Sequence, residues 1–90
     1  MEHRLQYKGG FRYTRHAKRR QRLYRLDDGD IKAAILEPDR RYREGGLDVA
    51  EKYFKGKYRD MPIKVVYASE RNFLEIVSCY PLKKRHWRKT

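Results

Sequence analysis

Residues 12–25 read RYTRHAKRRQRLYR and set one imidazole, His16, among seven Lys and Arg side chains with no acid between them. An imidazole exchanges protons near neutral pH, and a guanidinium can hold a phosphate through two parallel N–H donors. His16 and Arg20 are four residues apart, one turn apart on a helix. Tyr80, Lys83, Arg85 and His86 add hydroxyl, cation and imidazole late in the chain. Cleavage of RNA without a metal needs a base for the 2′-hydroxyl, an acid for the leaving oxygen and positive charge at phosphorus. His16, Arg20 and Tyr80 are of the types that fill these roles and are the candidate catalytic residues. Arg15, Arg19, Arg22 and Arg25 are candidate RNA contacts on the same segment. In the tail, Lys83, Lys84, Arg85 and Arg88 join them, with Trp87 able to stack on an unpaired base. A solubilising terminus is the bland alternative for that tail.

Such groups must be positioned by elements, and the sequence marks them. Residues 1–10 show no period and read as a lead-in arm ending at Gly9-Gly10. Thr14 suits a helix N-cap, with the helix running to about Leu26. Asp27-Asp28 cap a second helix, where Ile31, Ala34 and Ile35 fall at i, i+3, i+4 and Pro38 ends it. The period then becomes two. Arg40–Glu44, a Gly45-Gly46 hairpin turn, a strand over 47–57, the apolar run from Ile63 to Tyr67 and a last strand over 73–80 follow. The expected fold is α+β: two N-terminal helices packed on a four-stranded antiparallel sheet. Residues 11–81 form its single domain, and 82–90 are a basic tail.

On the first helix Tyr13, Ala17, Arg20 and Tyr24 make one stripe, with His16 and Leu23 beside it, and that stripe should face the sheet. Arg15, Lys18, Arg19, Arg22 and Arg25 are left for solvent. Two arrangements compete for His16 and Arg20. In one, His16 is a satisfied half-buried histidine and Arg20 a snorkelling arginine. In the other, both stand at the rim of a cleft between helix and sheet.

Charge says what the cleft would meet. The net charge is +12, from 24 Lys and Arg against 12 acids. Residues 1–25 hold nine cations and one acid, residues 26–81 ten cations and eleven acids, and residues 82–90 five cations and no acid. Positive charge gathered at two ends of a neutral middle repels itself, and a polyanion relieves the repulsion. RNA or the ribosome is the expected partner. A mean hydropathy of −1.12 is low, but 13% aromatic residues, eight of them Tyr, argue for a folded chain. Cys79 stands alone, alternates with Val77 on one strand face and reads as packing in a reducing compartment; a cytoplasmic setting follows. No apolar run is long enough for a membrane span, and no membrane partner is expected.

No metal site is expected, because His3, His16 and His86 are scattered and the acids are not spaced as ligands. Asp27, Asp28 and Asp30 are explained by helix capping and the helix dipole. Gly9-Gly10 and Gly45-Gly46 read as turns rather than phosphate-cradling loops, so no small-molecule cofactor is expected either.

Thr14-x-His16-Ala17-x-x-Arg20, the capped second helix ending at Pro38, and the late strands IKVVYASERNFLEIVSCYP resemble a family of small prokaryotic proteins, domain-of-unknown-function family 4258. The resemblance covers roughly residues 12–81. It implies a RelE- or barnase-like layout, similar to RelE-like toxins and other small metal-independent ribonucleases, with His16 and Arg20 at the centre of the site. Where the family shows a second arginine, this chain has Tyr24, with Arg22 and Arg25 beside it. A neutral hydroxyl does not replace a permanent cation, so that role moves to a neighbour or is lost. Two other functions share the basic surface: a non-catalytic RNA- or ribosome-binding module, and a protein partner of an acidic antitoxin.

Overall fold

The computed structural model describes residues 9–83. The element order is β1 (Phe11–Tyr13), α1 (Arg15–Tyr24), α2 (Asp28–Leu36), β2 (Arg40–Glu44), β3 (Leu47–Lys52), β4 (Ile63–Ser69) and β5 (Leu74–Pro81), with a 3₁₀ turn at Tyr58–Asp60. The strands form one mixed sheet in the order β1-β5-β4-β3-β2. The class is α+β with two helices, as the sequence implies, but the sheet has five strands and a strand comes first.

The added strand is β1, parallel to β5 with Phe11 opposite Leu74 and Tyr13 opposite Ile76. Three residues are too few to display a period, and the partner lies some sixty positions away. Gly10, with φ of 76°, makes the bend, and its carbonyl accepts from Leu74 N at 3.0 Å.

Local chemistry sets both helices. The Thr14 hydroxyl accepts from Ala17 N at 3.0 Å, and an Asp27 carboxylate oxygen from Asp30 N at 3.2 Å. Asp28 and Asp30 lie in the first turn of α2, where the helix dipole favours anions. α1 stops earlier than its pattern suggests: Arg25 takes φ of 54° and ψ of 47°, a left-handed cap that turns Leu26 into the core. β3 also ends early, at Lys52. Gly56 and then Tyr58, Arg59 and Asp60, all at positive φ, replace its expected continuation to Lys57.

The core lies between the helices and one sheet face. Ala17, Leu26, Ile31, Ala34 and Ile35 meet Ala50, Ile63, Val65, Tyr67, Leu74, Ile76 and Cys79. The stripe expected on α1 is reduced to Ala17. Arg20 is half-buried, Tyr24 and Leu23 are exposed, Tyr13 belongs to β1, and His16 is exposed rather than inward. Ala17, small and in the first turn of this ten-residue helix, lets the start of α1 approach β5 closely, and the longer side chains diverge around that contact. Leu82, assigned to the tail from sequence, is buried, and its N–H donates to Pro62 O at 2.8 Å.

Candidate functional site

β4 and β5 are antiparallel with an irregularity. Val66 is opposite Ser78 and Tyr67 opposite Ile76, which leaves Val77 as an extra residue on β5. Such a bulge shifts the alternation of side chains by one. Leu74 and Ile76 face the helices; beyond Val77, so does Cys79, not the even-numbered residues. Ser78 and Tyr80 are thereby turned to the opposite face, beside Val66 and Lys64. Val77 and Cys79 therefore do not form the simple alternation their spacing suggests. Cys79 is fully buried, its thiol donating to Ala17 O at 3.6 Å. Burial pushes that thiol up to about 11, offset in part by the nearby Arg20 cation.

The same register builds a row across four strands on the face away from the helices. Arg40 pairs with Glu51, Glu51 with Lys64, and Lys64 with Tyr80. The next row is Tyr42, Val49, Val66 and Ser78. Lys64 Nζ donates to Glu44 Oε1 at 3.1 Å and lies 5.7 Å from the centre of the Tyr80 ring. Desolvation alone would lower the lysine's pKa, but its bonds to Glu44 and Tyr80 outweigh it and the net shift is upward, so the ammonium stays charged. Tyr42 donates to Glu51 Oε2 at 2.5 Å, and burial followed by that carboxylate pushes its phenol up to about 12. Of these, only Tyr80 was a sequence candidate. A lysine inside the apolar run from Ile63 to Tyr67, opposite an acid in a neighbouring strand, was the available signal for Lys64 and Glu51.

His16 meets this face at its edge. β1 pairs with β5 only as far as Ile76; there Thr14 takes over, its N–H donating to Ile76 O and its hydroxyl to Val77 O, both at 3.0 Å. α1 thus starts against the β5 edge. His16 Nε2 shares a hydrogen bond of 3.2 Å with Ser78 Oγ, two residues from Tyr80 on the same face. So His16 rests on Ser78 at the β5 edge, and Tyr80 follows two residues along the same face with Lys64 beside it. Arg20 is elsewhere: it donates to the Tyr24 hydroxyl at 3.2 Å and lies near Cys79. Tyr24 is therefore Arg20's own hydrogen-bond partner, one turn along the same helix.

Arg15, Lys18, Arg19, Arg22 and Arg25 are all exposed. Among the described residues every ion pair draws its cation from elsewhere, through Lys32, Arg40, Arg43, Lys52, Lys57 and Lys64. The far end of α1 opens into a groove lined by Lys18, Gln21, Arg22, Arg25, Leu26 and Asp27. Lys83 is exposed; Lys84, Arg85, Trp87 and Arg88 lie outside the described residues. Among the described residues no three His, Cys, Asp or Glu side chains gather as metal ligands, and no helix is long and apolar enough to cross a membrane. Comparison with protein-family models, curated proteins and solved structures finds no match.

Proposed function

We propose that the protein binds RNA through the outward face of α1 and cleaves it, without a metal, at the β5 edge, as a RelE-like endoribonuclease. The observation that carries the RNA reading is the unneutralised charge of α1. Its outward cations make no ion pair among the described residues, while the cations of the sheet and of α2 are largely paired. A helix left cationic on one side is complementary to a phosphate backbone.

The cleavage reading rests on the edge where His16, Ser78, Lys64 and Tyr80 gather. His16, exposed and held by Ser78, takes the proton of the 2′-hydroxyl. Its oxygen attacks phosphorus to form the 2′,3′-cyclic phosphate. Lys64 stabilises the added negative charge, and Tyr80 protonates the departing 5′-oxygen. Arg20 is a positioning residue that props the cationic helix through Tyr24. An acidic antitoxin would cover the same cations.

The test is expression in cells, wild type against His16→Ala and Tyr80→Phe, following growth and total-RNA integrity, with RNA affinity measured on the purified proteins. Cleavage lost in both variants with binding retained supports the enzyme. Binding without cleavage by the wild type leaves a non-catalytic module. No RNA binding at all removes the reading.

A further inference from the structure

α1 ends on two large apolar side chains that stay outside the core. Leu23 is 64% exposed and Tyr24 is 37% exposed. Among the described residues Leu36 is the one other large apolar side chain left open. A single exposed leucine is ordinary, but here both large apolar residues of a ten-residue helix face out, side by side, and the helix buries Ala17 instead. The tyrosine is held in place: Arg20 Nη1 donates to its hydroxyl at 3.2 Å. That bond engages the edge of the ring and leaves its face uncommitted. A cation stands over the rings of Tyr13, Tyr42, Phe73 and Tyr80, whereas none stands over Tyr24 among the described residues.

We propose that Tyr24, with Leu23 beside it, is the stacking platform for an unpaired base of a single-stranded RNA; the inference rests on the RNA reading above. Within a duplex each base face is covered by its neighbours, so only a splayed base can lie on the ring. Charge selects this occupant over an apolar one. Arg15, Arg19 and Arg22 are exposed on the same helix and make no ion pair among the described residues. An apolar partner seated on Leu23 would desolvate those cations, whereas an RNA strand meets them with its phosphates. His16, Arg20, Leu23 and Tyr24 follow at i, i+4, i+7 and i+8, on one side of α1. Eight residues of helix separate His16 from Tyr24 by about 12 Å along the axis. The platform therefore grips the strand beside the cleavage edge, not at it. Since every base has a flat face, it requires an unpaired base without choosing which one.

The experiment compares two labelled oligonucleotides of one length by fluorescence anisotropy, both 2′-O-methylated so that neither is cleaved. One is an oligoadenylate; the other is abasic and carries the same phosphates. The full-length wild type should bind the oligoadenylate about 5- to 150-fold more tightly, the worth of one stacked base. Tyr24→Phe keeps the ring and should keep that preference, although it loses the bond to Arg20. Tyr24→Ala should remove most of the preference and leave the affinity for the abasic strand unchanged. Leu23→Ala, at a wholly peripheral position, should reduce the preference too, and decides the matter if Tyr24→Ala does not fold. Equal binding of both strands by the wild type, or a preference that survives both alanine variants, overturns the proposal. So does a free protein that sediments as a dimer and becomes a monomer in Leu23→Ala, because the pair then belongs to a second copy. If the abasic strand binds and bases add nothing, only the platform falls; if neither strand binds, the RNA function itself falls.

Discussion

Neutralising part of α1 should change how RNA binding responds to salt, by an amount that follows from its exposed charges. Arg15, Arg19 and Arg22 are exposed and outside every ion pair found among the described residues. Their replacement by Gln removes charge while leaving helix propensity and core contacts in place, so stability should stay within about 0.5 kcal/mol of the parent. Each phosphate contact to single-stranded RNA contributes a log–log salt slope of about −0.7. Contacts from the five outward cations of α1 then give about −3.5 in the parent and about −1.4 in the triple variant. Raising salt from 50 to 200 mM should cost the parent about 100-fold in affinity and the variant under about tenfold. Fluorescence anisotropy with a labelled single-stranded RNA across that range measures both slopes, and a thermal melt checks the fold. Equal slopes in the two proteins would refute the reasoning, because the phosphates would then be held by some other part of the chain.

Three further outcomes are expected. Tyr13→Phe removes the hydroxyl that donates to Asp28, and should lower stability by about 1 kcal/mol in urea denaturation, below the usual range for a bond to a charged group because Asp28 is exposed. That bond, ahead of Lys32, holds the Asp28 carboxyl below its usual range, so the stability it contributes is present above pH of about 4 and is lost as pH falls through the folded value. The Tyr13→Phe protein should therefore show a flatter acid limb than the parent, and parallel limbs would count against the link. Ile76→Ala, at a fully buried position between β1, α1 and β4, should cost about 2–5 kcal/mol by calorimetry. Cys79, buried and with its thiol pushed up to about 11, should react with a thiol reagent only on the timescale of unfolding; fast labelling of the native protein would place it at the surface.

Much of the frame was legible one segment at a time. Thr14 and Asp27 are capping side chains whose bonds close within three residues, so both helices start where their sequences say. Gly45 and Gly46, at φ of 60° and 82°, supply the two left-handed positions of a two-residue hairpin, and β2 and β3 follow in register. The cationic face of α1 is likewise written in residues 12–25, because exposure of a long charged side chain needs no partner. What tertiary structure decided is everything that depends on two distant segments meeting. β1 is three residues long and is a strand only because β5 offers its edge, a pairing no local period announces. His16 was expected inward from the helix pattern. The bonds that Thr14 donates to Ile76 and Val77 instead seat the first turn of α1 at the sheet edge, where His16 finds Ser78. The extra residue Val77 is the other decisive feature. It reverses the alternation of β5 partway along, sending Cys79 into the core and Tyr80 to Lys64, because a period of two makes one added residue exchange the faces of all that follow.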